Sequence, residues 1–471
     1  MLKPLVKKFA IWATIITIIT NIYIFTYPSI HPTQCSWKCY DKTNESSEPD
    51  ISSLSSLGKY TYYTKRYLND IKNQYLTKTE QENTNDIHLL AFGDPQIKGI
   101  WHNTPYITRL DTFGNDYYLG HIYSMMQKRL SPTHVAIMGD LFSSQWIGDS
   151  EFFNRTKRYM NRIFKRNADD TWLYDLKKNN HDEMGLYKVN WTKYANEFKL
   201  NPNNSFAGYK DVYSWDPENE NYLFINITGN HDVGYSGDAT YQHMSRYHEI
   251  FGKDNFFIEY DVETDHPWRI VVLNTLTLEG PALQPEFVDN TWEFLYQVFE
   301  RRFNGSTILL THVPFYKEEG LCVDGPEFRY YPEVYEKEPY KANLLRSQNH
   351  MSEEATNKVF NLIFDNKKPG IVLNGHDHEG CETIYNKKGA SWIATKDIDP
   401  SADYYLQEIT VRAMMGEFNG NTGLVTGHFN ELTKLWDFNF TLCPFNIQHF
   451  WWAAKASAII TGFIWSFYVL L

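Results

Sequence analysis

Five short blocks in this chain each place an Asp, Asn or His directly after an apolar run. They are Gly93-Asp94-Pro95-Gln96, Gly139-Asp140-Leu141-Phe142, Gly229-Asn230-His231-Asp232, Thr311-His312-Val313-Pro314 and Gly375-His376-Asp377-His378. Singly such blocks are commonplace. Jointly they supply the mixture needed to hold two divalent ions about 3.5–4 Å apart, a spacing that clamps the attacking and leaving oxygens of a phosphoryl centre. A carboxylate must bridge the ions to offset their repulsion, and Asp140 is the candidate. Asp94 and His378 complete the protein ligands of the first ion, and Asn230, His312 and His376 serve the second. Neutral imidazole and amide ligands limit the negative charge beside an anionic substrate. His231 directly follows a ligand, which suits it either to protonate the leaving oxygen or to bind phosphate. Asp232 is expected to orient the His231 ring. The chemistry indicated is metal-assisted hydrolysis of a phosphate ester, with His231 and Asp140 as the catalytic residues.

The elements that must position these residues are legible around them. Ile87–Phe92, His134–Met138, Tyr222–Ile227, Arg269–Leu273, Ser306–Leu310 and Gly370–Leu373 are short and apolar on consecutive positions, as strands buried on both faces are. Leu119, Ile122, Tyr123, Met126 and Leu130 form a helical stripe between them, as do Trp292, Leu295, Tyr296, Phe299 and Phe303, and Ala355, Val359, Leu362 and Ile363. Strands alternating with helices predict an α/β architecture, with the site beyond the carboxyl ends of the strands. The domain is expected over residues 87–440. Between Leu141 and Asn221 lie about eighty polar and aromatic residues with a helical pattern at Phe152–Phe164. They read as an inserted subdomain, about 143–221, placed as a lid over the site.

The ends of the chain predict membrane attachment. Phe9–Phe25 is 17 residues without a charge, after Lys3, Lys7 and Lys8. A cleaved signal peptide shares that pattern, but no small-x-small site follows, so residues 1–27 are expected to be a signal anchor with the basic end cytosolic. Residues 450–471 are apolar apart from Lys455, and Trp451 and Trp452 stand where an interfacial aromatic belt belongs. A cleaved lipid-anchor signal would need a polar spacer, whereas 436–445 is bulky. Two spans place residues from about 28 to 449 on the far side of the membrane, with 28–86 as a stalk or lead-in. Seven Asn-x-Ser/Thr sequons (Asn44, Asn154, Asn190, Asn203, Asn226, Asn304 and Asn439) give this weak support. The five cysteines lack zinc-finger spacing, and in an oxidising compartment they allow two disulfides with one thiol left over. A net charge of −12 and the lack of a basic block exclude a nucleic-acid footprint.

The ligand blocks resemble the calcineurin-like metallophosphoesterase superfamily, whose pattern runs D-x-H, G-D, G-N-H-D/E, H and G-H-x-H. The departure is Gln96 in place of the first His. An amide is a harder, weaker ligand than imidazole, which favours Mn²⁺ over Zn²⁺ and weakens the first position. Longer motifs are similar to the membrane-bound branch that remodels glycosylphosphatidylinositol (GPI) anchors: Gly-Asn-His-Asp-Val-Gly-Tyr at 229–235, Leu-Thr-His-Val-Pro at 310–314, Cys322 to Phe328, Gly375 to Cys381 and Val411 to Phe418. The resemblance implies a metallophosphoesterase sandwich of two mixed β-sheets flanked by helices, with a large insertion and a transmembrane helix at each end. It further implies two divalent ions, Mn²⁺ above others, and removal of ethanolamine-phosphate from a mannose of the GPI glycan in the endoplasmic reticulum (ER) lumen. The partners would be GPI-anchored protein precursors, membrane lipid and ER export cargo receptors, and the Golgi is the alternative compartment. Cys322 and Cys381, each a few residues from a ligand-bearing block, are expected to be bonded and to brace the site. Rival functions on the same residues are a luminal phosphatase or nucleotide diphosphatase, and a non-catalytic cargo adaptor.

Overall fold

The computed structural model describes residues 2–31, 35–38, 51–72, 86–101, 103–166 and 220–471. Among these, three consecutive parallel strands, β1 (Ile87–Phe92), β2 (His134–Ile137) and β3 (Leu223–Asn226), form one side of a five-stranded sheet. The long hairpin of β13 (Asn421–Asn430) and β14 (Leu435–Pro444) completes it antiparallel to β1. A seven-stranded sheet stands opposite, with strand order β11-β10-β12-β9-β6-β5-β4. Its parallel centre is β5 (Trp268–Val272), β6 (Ser306–Leu310), β9 (Gly370–Asn374) and β12 (Tyr404–Thr410); β4 (Phe256–Tyr260) pairs antiparallel to β5 at one edge, and at the other β10 (Cys381–Lys388) pairs antiparallel to both β12 and β11 (Ser391–Thr395). Both sheets are mixed, and β7 (Phe328–Tyr330) pairs with β8 (Leu345–Gln348) in a separate ribbon.

The consecutive apolar runs are explained by burial on two sides. Along β1, Leu89 and Ala91 meet Ile270, Val272, Ile308, Leu310, Ile371 and Leu373 in the core between the sheets. The alternate residues Leu90 and Phe92 face outward to the stripe Leu119, Ile122, Tyr123 and Met126 of α3 (Tyr106–Leu130). On the other flank Val271, Leu309 and Val372 share a core with α7 (Pro285–Glu300) and α8 (Glu353–Ile363). The expected insertion begins as α4 (Asp149–Arg158) and a π-helical turn, Tyr159–Ile163. Residues 167–219, on which the lid expectation rests, lie outside the described residues. The lead-in contains a helix that its Ser-rich composition did not announce, α2 (Ser56–Lys72).

Two terminal helices, α1 (Leu2–Ile30) and α9 (Gln448–Leu470), are long and apolar enough to cross a membrane. They pack on each other through hydroxyl contacts typical of helix pairs in lipid. Thr17 Oγ1 lies 2.8 Å from Thr461 Oγ1, and the Trp465 indole donates to Thr14 Oγ1 at 2.9 Å. A Cys35–Cys443 disulfide ties the segment after α1 to the end of β14. Strand register then fixes which end of the sandwich is which. Asn421 pairs with Pro444, four residues before α9, and Ala91 at the carboxyl end of β1 pairs with Gly423. The carboxyl end of β1 is therefore the same end of the sheet from which α9 departs.

One buried ion pair fastens the loops of the second sheet. Glu408 on β12 is fully buried against Lys317. Its Oε1 accepts from the Phe315 amide at 2.9 Å and from Asn374 Nδ2 at 2.7 Å, and its Oε2 from Tyr385 at 3.2 Å and Thr383 at 3.3 Å. Phe315 follows His312 by three residues and Asn374 precedes His376 by two. Glu408→Gln leaves the Lys317 ammonium buried without its counter-charge, a loss on the order of 3–5 kcal/mol. Denaturant unfolding of the full chain in detergent should show that loss, and an unchanged midpoint would mean Lys317 finds another acceptor.

Candidate metal centre

Each candidate ligand sits on the first turn beyond a parallel strand: Asp94 after β1, Asp140 after β2, Asn230 after β3, His312 after β6 and His376 and His378 after β9. The two sheets present these turns at a common end, so residues up to 284 positions apart converge. Backbone there is bent out of ordinary conformations. Asp94, Gln96, Asp140 and His376 all have positive φ, 36°, 40°, 47° and 74°. Strain of this sort costs about 1–3 kcal/mol per residue and persists where surroundings over-determine it. Gly139 shows how tight the approach is, since a Cβ there would lie 2.3 Å from His312 Nδ1.

Two groups of donors result. In the first, ligand atoms of Asp94, Asp140 and His378 lie within 4.8 Å of one another, with His378 Nε2 3.3 Å from Asp94 Oδ2. In the second, Asn230 Oδ1 lies 3.0 Å from both His312 Nε2 and His376 Nδ1. Asp140 joins them, for its Oδ1 is 3.3 Å from His312 Nε2 and its Oδ2 is 3.1 Å from Gln96 Nε2, which also lies 3.1 Å from His378 Nε2. Gln96 thus points into the first group with its amide –NH₂ toward both neighbours, a hydrogen-bonding pose.

The donor set fits cations. His312 Nδ1 donates to the Met138 carbonyl at 2.7 Å, which leaves Nε2 as the free face of the ring toward Asn230 Oδ1. Asp94 Oδ1 is buried with no hydrogen-bond partner among the described residues. Burial, reinforced by neighbouring His312, pushes the His376 imidazole down to about 3, so its lone pair stays available. Burial also pulls on His312, but the Asp140 and Asp94 carboxylates outweigh it and hold that ring up to about 9. For Asp140, His312 and His231 overcome the opposing effect of burial and keep the carboxyl well below its ordinary range. The field at this point draws positive charge into a buried, acid-lined space, as a cation site must.

His231 stands beside the ligands on a single helical turn, α5 (Asn230–Val233), with its ring 37% exposed and Nε2 3.8 Å from Asp140 Oδ2. Its backbone N–H donates to Asp140 Oδ1 at 2.9 Å. The expectation that Asp232 orients this ring is corrected. Asp232 turns away and accepts from the Gly229 amide at 2.9 Å, the Leu141 amide at 3.1 Å and the Phe142 amide at 3.0 Å. As the third residue of its own turn it reaches back to the Gly229 amide at the turn's start, and it knots the Asp140 loop to the Asn230 loop. Burial and the Asp140 charge push its carboxyl up to about 8 against those three bonds. Asp232→Asn must turn an –NH₂ toward at least one of the three N–H groups. Metal affinity or turnover should fall about 10–100-fold, the usual effect of losing a ligand's support. Equal metal content and turnover in the variant would show the loops hold without it.

Sequence reasoning did not single out Tyr235, whose hydroxyl lies 3.5 Å from His376 Nε2, although it ends the 229–235 motif. The Cys322–Cys381 bond is present, and it joins the loop after His312 to the start of β10, three residues after His378. His350 is buried with Nδ1 unpartnered among the described residues, and burial followed by Lys317 lowers it to about 4. Asn226, one of the seven sequons, is buried in β3 and accepts from Tyr159.

The sequence is similar along its length to known proteins. It is 60% identical over 480 aligned residues to Protein TED1 of Saccharomyces cerevisiae, covering 99% of each chain. It is 20% identical over 407 residues to metallophosphoesterase 1 of Mus musculus, covering 77% of this chain and 81% of the relative. Among solved structures, GAP50, the anchor in the inner membrane complex of Plasmodium, aligns with 12% identity and a TM-score of 0.33 over 77% of this chain and 89% of its own. No protein-family profile matches the sequence.

Proposed function

This chain belongs to the family of TED1 and metallophosphoesterase 1, the GPI-remodelling branch of the metallophosphoesterases, and on that premise we propose that it is a phosphodiesterase removing ethanolamine-phosphate from a mannose of the GPI glycan. The observation that carries the reading is the pair of donor groups sharing Asp140. Asp94 and His378 would hold one divalent ion and Asn230, His312 and His376 another, with Asp140 contributing a carboxylate oxygen to both sets. Such ions, when bound, polarise the phosphoryl oxygens and lower the pKa of a coordinated water. The donors are mostly oxygen and imidazole with no thiolate, and Gln96 takes the place of a ligand His, which favours Mn²⁺. The exposed His231 ring is free to reach the leaving oxygen, while its own N–H keeps Asp140 in place.

The setting supports a membrane-borne substrate in an oxidising compartment. The ligand-bearing end of the first sheet is the end from which α9 departs, and two disulfides join segments far apart in sequence. We assign the chain to the ER membrane with two spans and a luminal domain. There, trimming would assist export of GPI-anchored precursors handed to cargo receptors. The experiment is Mn²⁺-dependent release of ethanolamine-phosphate from a defined GPI glycan by the purified full chain, beside Asp140→Asn. Release by the wild type alone supports metal centre and substrate together. Turnover of a generic phosphodiester without release from the glycan keeps the phosphoesterase and discards the GPI substrate. A preference for monoesters or nucleotide diphosphates favours the rival luminal phosphatase.

A further inference from the structure

The first half of α3 carries an apolar strip that stays largely exposed among the described residues. Tyr106 is 78% exposed, Ile107 80%, Leu110 45%, Phe113 45% and Tyr117 42%. At 100° per residue these five positions fall within an arc of about 120° on one helix face. A contiguous exposed strip of this kind marks a contact surface, whereas scattered apolar residues do not.

Its place in the fold says what covers it. Gly114, on the same face, is where α3 touches α9, because a Cβ there would fall 1.6 Å from the Trp452 ring. One turn on, the Tyr118 ring meets Trp451, with centroids 6.4 Å apart. At His121, Nε2 lies 3.2 Å from the Ile24 carbonyl and the ring is 4.8 Å from that of Phe25. The strip therefore sits level with the Trp451–Trp452 pair and the end of the apolar run of α1, the depth at which aromatic belts meet lipid headgroups. Arg162 lies over Phe113 and Tyr117, 5.6 and 5.9 Å from their centroids, which puts a cation at the edge of the strip. The loop that enters α3 starts at Gln96 in the metal centre, and Trp101 on it is 52% exposed.

We propose that the first half of α3 lies in the membrane interface as a third contact with the bilayer, embedding Tyr106, Ile107, Leu110, Phe113 and Tyr117 and seating the metal centre at the headgroup level. The inference rests on α1 and α9 spanning the bilayer. It adds that the domain is held down on its catalytic side instead of swinging on two tethers. A substrate whose phosphodiester lies close to the lipid surface then meets the site without leaving the membrane.

The test is depth-dependent quenching on the full chain, in a Cys39→Ser background, reconstituted in phosphatidylcholine vesicles. A fluorophore is attached at Ile107→Cys or Phe113→Cys and the quencher is carried on the lipid chains. Phe463→Cys on α9, 71% exposed, reports the span. Leu432→Cys reports water, since it lies in the turn at the far end of β14 from α9. Loss of fluorescence at 107, 113 and 463 but not 432 is the expected result. Quenching at 463 alone overturns the interfacial contact and leaves the spans intact. Absence of quenching at 463 removes the membrane premise and the proposal with it. Leu110→Asp combined with Phe113→Asp gives a second reading. Turnover of a soluble phosphodiester in detergent should be unchanged, while hydrolysis of a vesicle-borne one should fall. Equal loss in both would mean the strip serves folding, and no loss in either would also overturn the contact.

Discussion

Asp140→Asn should abolish phosphoesterase activity and empty both candidate metal positions in a protein that still folds. Among the described residues, Asp140 is the carboxylate with an oxygen toward each donor group, Oδ1 toward His312 and Oδ2 toward Gln96 beside His378. Removing its charge takes a ligand from both positions and the screening between two dications. Metal ions supply several kcal/mol of transition-state stabilisation, so turnover should fall at least about 10³-fold at roughly 1.4 kcal/mol per decade. Asn is the cleaner substitution than Ala because residue 140 has φ 47°. Asn adopts that left-handed region readily, whereas other side chains pay about 1–2 kcal/mol there. Elemental analysis of the purified variant reads the metals directly. Full turnover, or loss of only one metal, would sink the bridging assignment.

The parts of the fold legible in the sequence are those where one rule acts alone. The parallel strands announce themselves because both faces are buried, so every position from Ile87 to Phe92 is apolar or nearly so, and the ligand blocks follow because each occupies the turn beyond such a strand. The strands of the C-terminal third do not read that way. β10 carries Glu382, Thr383, Asn386, Lys387 and Lys388, a composition that suggests a surface loop, yet Thr383 and Asn386 are buried and hydrogen-bonded. Glu408 reads as a solvent-facing residue of β12 and is instead a fully buried hub, because its partner Lys317 is 91 positions away and no local pattern links them. Asp232 was misread for the opposite reason. Adjacency to His231 suggested a partnership, whereas an acid at the third position of a helical turn faces back to the turn's own start, a signal present in Gly229-x-x-Asp232. Cys35 and Cys443 lie 408 positions apart, and no local pattern links one to the other; they meet because α1 and α9 pack together.

His231→Ala should leave both metals in place and slow the chemistry by about 10²–10⁴-fold, the range over which a positioned proton donor contributes. Retention follows from the geometry. What His231 gives to the ligand set is its backbone N–H to Asp140 Oδ1, which alanine keeps, while its ring stands 3.8 Å from Asp140 Oδ2 and partly in solvent. The size of the effect should depend on the leaving group. A ring that protonates the departing alkoxide matters most when that alkoxide is strongly basic, as a sugar or ethanolamine oxygen is, and little when p-nitrophenolate departs unaided. A ring that only binds phosphate would cost the same factor with both. Steady-state rates of wild type and variant on an alkyl and a p-nitrophenyl diester therefore separate the two roles. A deficit much larger on the alkyl ester makes His231 the general acid, an equal deficit makes it a phosphate ligand, and loss of metal would place it inside the coordination set.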